Sequence, residues 1–230
     1  MKKRILACVT ALMLAAMLAG CGERDKPEKS AETSANGESR TQNTGTQDIL
    51  FSGDGYTITL EGSKWVNRDS YIETLKAQGY TFDEDDLEGK NSDGCYYFTD
   101  PSVKNGADND EFTYDTPHLT IAAPRRSDYF NKHSIEEYIE DGFSSEKELY
   151  DSVDGMDFVE EESGIKEIGE NKFLKKTIRN TLAGGEIVLV KMTYDIYSKG
   201  AKYSFTFSST DKLAPAMEAE YEKVLSTFTA

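Results

Sequence analysis

Few residues in this 230-residue chain have types and spacing that suggest chemistry. Two acidic runs, Asp83-Glu84-Asp85-Asp86 and Asp108-Asn109-Asp110-Glu111, offer the hard oxygen ligands that Ca²⁺ prefers. Asp83, Asp85, Asp86, Asp108 and Asp110 are the candidate metal ligands, although neither run has the twelve-residue loop with a central glycine and a terminal glutamate. A solvated acidic surface is the plainer reading. Of the two histidines, His118 follows Pro117 ahead of a strand and His133 precedes a helix cap, and both are expected to be ordinary exposed loop residues. Ser209-Thr210-Asp211-Lys212 has the Ser-x-x-Lys spacing but lacks the accompanying Lys-Thr-Gly strand and second serine motif. No nucleophile elbow, phosphate-cradling glycine loop or zinc helix is present, so no catalytic or cofactor-binding residue is assigned and a non-enzymatic chain is expected.

The cysteines are more informative. Met1-Lys2-Lys3-Arg4 is a short basic head, and Ile5 to Gly20 follow without a charge. That is the pattern of a secretory signal, and it is short for a membrane span, which needs ~20 apolar residues. The exit, Leu18-Ala19-Gly20-Cys21, resembles the lipobox of bacterial lipoproteins of the Gram-positive type. The resemblance implies cleavage before Cys21 and diacylglycerol on its thiol. It also implies a protein held on the extracytoplasmic face of the cell membrane. Two or three acyl chains, at ~0.8 kcal/mol per buried CH₂, suffice for stable anchoring. Cys8 would leave with the signal, so Cys95 is left alone; one thiol builds neither a disulfide nor a thiolate metal site, and a buried small side chain is expected there.

Cleavage would remove three of the 26 basic residues (Lys2, Lys3 and Arg4), leaving 23 against 42 acidic, a net charge of −19. Such a surface repels nucleic acid and anionic lipid headgroups, so the expected membrane contact runs through lipid on Cys21 alone. Residues 22–47 hold only Ala31, Ala35 and one proline among polar side chains, too little apolar surface to offset ordering entropy. The composition predicts a flexible tether of roughly 28 Å mean span, from ~5–6 Å times √n. The expected organisation is a signal at 1–20, lipidated Cys21 and linker at 21–47, and one domain at 48–230.

Within the domain, Tyr56-Thr57-Ile58-Thr59-Leu60 alternates like a half-buried strand, with Trp65 in a following turn. Tyr71, Ile72 and Leu75 predict a helix over 69–79 stopped by Gly79. Thr81 to Thr116 reads as a long acidic loop interrupted by a strand at Cys95–Phe98, with another strand at Leu119–Ala122. Ser134-Ile135-Glu136-Glu137 has capping-box spacing and opens a helix expected to pause at Gly142 and resume over Ser145–Val153. Strands Lys172–Leu182, Glu186–Tyr197 and Ala201–Ser208, joined by Ala183-Gly184-Gly185 and Ser198-Lys199-Gly200, form an antiparallel meander. Its apolar face asks for a covering helix, which Leu213, Met217, Tyr221, Val224, Leu225 and Phe228 supply at helical spacing over 211–228. Arg125-Arg126 and Lys175-Lys176 are adjacent basic pairs read as ordinary surface charge.

The run Tyr56–Leu60 with Trp65, the helix from Ser134, the strand Tyr203-Ser204-Phe205-Thr206-Phe207 and the closing Val224-Leu225-Ser226-Thr227-Phe228 together resemble the PsbP-like fold. The resemblance covers about residues 49–230 and implies an α+β class, an antiparallel β-sheet sandwiched by α-helices. It also implies a binding or accessory role, with an envelope protein or cell-wall component as the expected partner and no nucleic acid. The alternatives are a Ca²⁺- or small-ligand-binding lipoprotein and an unrecognised cell-wall-active hydrolase.

Overall fold

The computed structural model describes residues 47–81, 87–100, 103, 116–182 and 187–230, apart from the side chains of 140–142. Cys21, the linker residues up to 46 and the Ala183–Gly185 turn lie outside the described residues. So do Asp83, Asp85, Asp86, Asp108 and Asp110.

The long meander forms as its alternation dictates: β9 (Asn171–Leu182), β10 (Ile187–Ser198) and β11 (Ala201–Thr210) pair antiparallel. Ser198 faces Ala201 across the two-residue turn Lys199-Gly200, both at positive φ (49° and 73°), the geometry whose twist matches a hairpin. Beyond β11 the sheet continues through β5 (His118–Ile121), β4 (Gly94–Phe98) and β3 (Trp65–Asn67), and beyond β9 through β7 (Met156–Phe158). Short strands β6 (Arg125–Arg126) on β11 and β8 (Gly164–Ile168) on β9 bring the sheet to nine strands among the described residues. Trp65 therefore begins a strand of the main sheet, where the sequence suggested a turn: it pairs with Phe98, and its ring is fully buried in the core. Strands β7 and β8 escaped the sequence reading because their three and five residues alternate weakly.

One face of the sheet carries Tyr96, Leu119, Ile121, Phe173, Met192, Tyr194, Phe205 and Phe207. It is covered by the hairpin β1 (Ile49–Gly53) with β2 (Tyr56–Leu60), and by helix α4 (Ala214–Leu225). All six apolar residues of the expected stripe, Leu213 to Phe228, are buried, each contributing about 1.5–3 kcal/mol by leaving water. The closing segment is tied back by the Thr57–Thr229 backbone pair, at 2.8 and 3.0 Å.

Among the described residues the opposite face is covered only at its two ends. Helix α1 (Arg68–Ala77) lies over β3 and β4, packing Tyr71 and Leu75 on Cys95 and Tyr97, and the Tyr71 and Tyr97 rings stack at 4.1 Å. It ends as Gly79 predicts: at φ 87° the chain returns the Gly79 and Tyr80 amides to the Lys76 and Leu75 carbonyls. At the other end, α2 (Tyr129–Lys132) sits by β10 and β11, and α3 (Ile135–Asp151) packs Phe143 and Tyr150 on Phe158 of β7. The Ser134–Glu137 capping box is formed. The expected pause at Gly142 is absent: α3 runs unbroken for 17 residues. The ~1 kcal/mol disadvantage of an interior glycine is small beside the aromatic packing of Phe143 and Tyr150. Among the described residues no helix is long and apolar enough to cross a membrane.

Candidate functional site

Between α1 and α3 the middle of the second face is open among the described residues, and it is polar. By register, Lys191, Thr193, Asp195 and Tyr197 of β10 stand beside Ser208, Thr206, Ser204 and Lys202 of β11, with His118 and Thr120 of β5 next in line. Period-2 alternation puts these residues here as surely as it puts Met192, Phe205 and Phe207 in the core. Thr193, Thr206, Thr120 and Ser204 are half-buried, and the Thr193 and Thr206 hydroxyls pair at 3.1 Å at the centre of the strip.

A charge cluster closes each end. At one, Glu88 bridges two strands, accepting from Lys191 Nζ at 2.9 Å and meeting His118 Nε2 at 3.0 Å. Its main-chain oxygen accepts from Arg68 Nε, Tyr97 Oη and Cys95 Sγ, which fixes the 87–93 segment on the sheet. Burial alone would raise the Glu88 pKa, but the His118 hydrogen bond and the His118 and Lys191 charges outweigh it. The carboxyl is held well below the usual range. At the other end Asp195, 1% exposed, accepts from Ser204 Oγ at 2.6 Å and pairs with Lys176 at 3.2 Å and Lys202 at 3.4 Å. Lys176 also meets Glu146 of α3 at 3.2 Å, and Glu146 accepts from Tyr138 Oη. Charge is balanced throughout: three lysines face three carboxylates.

Two expectations change here. His118 is no loop residue: it is 8% exposed and begins β5, between Ser208 and Tyr97. The alternation His118-Leu119-Thr120-Ile121 carried that signal, masked by Pro117. Lys175 and Lys176 are not surface charge either; each is 8% exposed, and being neighbours on a strand they point to opposite faces. Lys175 reaches Glu218 of α4 at 2.5 Å, while Lys176 enters the Asp195 cluster. Arg125 and Arg126 are exposed as read, Arg126 pairing with Asp54 at 2.9 Å.

Ser208 and His118, direct cross-strand neighbours beside Glu88, invite comparison with a nucleophile and its base. The geometry differs. His118 Nδ1 lies 3.1 Å from the Thr116 carbonyl and Nε2 3.0 Å from Glu88, so both ring nitrogens are engaged and neither is left to Ser208. Ser209 of the Ser-x-x-Lys spacing is buried on the core face, whereas Lys212 is exposed. Among the described residues no three His, Cys, Asp or Glu side chains cluster as metal ligands do, and the five candidate acidic ligands lie outside those residues.

Cys95 is buried at the foot of α1, as expected, and burial pushes its thiol up to about 12. In the folded protein at neutral pH, iodoacetamide should label Cys95 at least ~100-fold more slowly than in guanidinium, since the thiolate is the reactive form. Peptide mapping of the labelled protein checks this; equal rates would mean that the α1 contact opens freely.

No family model and no curated protein matches the sequence. Solved structures do resemble it. The solution structure of cyanobacterial PsbP (CyanoP) from Synechocystis is 12% identical, with 84% of this chain and 97% of that chain covered and a TM-score of 0.47. LpqN, involved in cell envelope biogenesis of Mycobacterium tuberculosis, is 14% identical over 80% and 90% of the two chains, at a TM-score of 0.44. A crystal structure from Bacteroides thetaiotaomicron is 10% identical, and the match covers 81% of this chain but 49% of that one, at a TM-score of 0.42. The chain thus spans about half the length of the Bacteroides protein. The architecture itself is α+β, an antiparallel sheet between a hairpin and helix on one face and helices on the other.

Proposed function

We propose that this chain is a lipid-anchored extracytoplasmic protein whose domain acts as a non-enzymatic binding or accessory module for an envelope partner. The observation that supports it best is the open, charge-balanced polar strip between α1 and α3. Such a strip offers ordered hydrogen-bonding side chains, and its one histidine has both ring nitrogens committed to structural partners. In this reading Cys21 carries the anchor, residues 22–47 join it to the domain, and the strip meets the partner.

Two measurements test it. Growth with an alkyne fatty acid should label the wild-type chain, and Cys21→Ala should abolish the label and release the protein from the membrane fraction. Full-length protein in mild detergent should retain an envelope component that a variant with lysine at both Thr193 and Thr206 does not. Retention indifferent to that change would remove the strip from the reading, and label on the Cys21→Ala chain would remove the anchor.

A further inference from the structure

We infer that the strip centred on Thr193 and Thr206 is a binding site for an uncharged glycan chain. This deepens the proposed function and rests on it.

Three observations select that chemistry. First, β10 is paired on both edges, with β9 and β11, and β11 with β10 and β5. The main-chain donors and acceptors there are spent within the sheet, so a peptide cannot dock by adding a strand, and recognition falls to side chains. Second, those side chains are hydroxyls. Thr193, Thr206 and Ser204 are half-buried, and below them the hydroxyl oxygens of Thr120 and Ser208 are buried. Hydroxyls both donate and accept, which suits a ligand whose own hydroxyl and amide groups do the same.

Third, among the described residues the strip has no unmatched charge. Lys191 is held by Glu88, Lys202 by Asp195, and Lys176 by Asp195 and Glu146. An anionic polymer would have to break these pairs and approach a domain whose net charge is strongly negative. A cationic partner would find every strip carboxylate already occupied. A neutral polyhydroxylated chain meets neither obstacle. The charge clusters that close the strip, at Lys191 and Asp195, stand about 13 Å apart along β10, from ~3.3 Å per residue, and the open stretch between them is centred on Thr193 and Thr206.

The test is calorimetric titration of the full-length protein in detergent with the tetramer of N-acetylglucosamine, for wild type and for Thr193→Val with Thr206→Val. Valine keeps shape and strand propensity, and an unchanged melting temperature establishes that the variant is folded. The expected result is binding by the wild type and a loss of roughly tenfold or more in the variant, the effect of removing one or two net hydrogen bonds. Equal binding by both proteins would overturn the assignment to the strip. No binding of the tetramer, together with retention of an envelope protein that the double valine variant loses, would overturn the glycan while leaving the proposed function standing. Failure of both the tetramer and envelope retention would overturn both.

Discussion

Replacing Asp195 by asparagine, or Lys176 by methionine, should each destabilise the domain by about 3–5 kcal/mol, because either change leaves a buried charge without its main partner. For a domain of this size that is a fall in melting temperature of roughly 10 °C. Asp195 is 1% exposed, and its two cations come from the neighbouring strands β9 and β11. The double variant should be less destabilised than the sum of the singles, since the second change removes the charge orphaned by the first. Burial would raise the Asp195 pKa, but Lys176, Lys202 and the Ser204 hydroxyl outweigh it and hold it low. For Lys176 burial works downward, and Asp195 and Glu146 drive the pKa up. A depressed acid contributes stability above its unfolded value of ~3.9, lost as pH falls through the folded value. A raised lysine contributes below ~10.4, lost as pH rises through the folded value. The cluster is therefore fully stabilising between about pH 4 and pH 10, and Asp195→Asn should flatten the acid limb of a stability–pH profile. Urea unfolding at several pH values checks both; a cost under ~1 kcal/mol would mean that solvent reaches the cluster.

What the sequence made legible, and what it hid, follows from the range of the forces involved. The meander, the Gly79 stop, the Ser134 cap and the Leu213–Phe228 stripe rest on local rules: alternation, left-handed glycine, reciprocal capping and helical spacing. Each is satisfied within a few residues, so each could be read. The strip could not. Its hydroxyls sit on the polar half of the same alternation that marks a solvent face, and nothing local distinguishes a solvated face from one half-enclosed between two helices. The charge clusters were hidden more deeply. Glu88 meets Lys191 across 103 residues, and Lys176 meets Asp195 only because β9 and β10 pair in one register and not the next. Lysine and aspartate in a strand look like surface until the partner strand is known. The acidic runs stood out because charge is the most visible property of a sequence, and their five candidate ligands lie outside the described residues.

Phe207 and Thr206 turn this two-faced construction into a second large effect. They are adjacent on β11 and point oppositely, Phe207 into the aromatic core and Thr206 into the strip. Phe207 is fully buried, stacked on Tyr221 of α4 at 4.2 Å, with its edge to Tyr194 at 5.8 Å. Its register neighbours, Met192 and Leu119, are also core residues. Phe207→Ala removes these contacts, and a cavity between two packed layers collapses poorly, so the expected loss is about 3–5 kcal/mol. Against a total of ~5–15 kcal/mol that leaves a marginal domain. Amide exchange should speed up throughout α4 and β11, since the helix rests on this ring. Thr206→Val, one residue away, removes one half-exposed hydroxyl and should shift stability by less than ~1 kcal/mol. Urea unfolding and hydrogen exchange on the two variants give opposite expectations. Phe207→Ala loses stability first and binding only as a consequence, whereas Thr206→Val keeps stability and weakens binding directly. If Thr206→Val proved as destabilising as Phe207→Ala, the strip would be a structural layer, and its hydroxyls would be filling the fold rather than facing a partner.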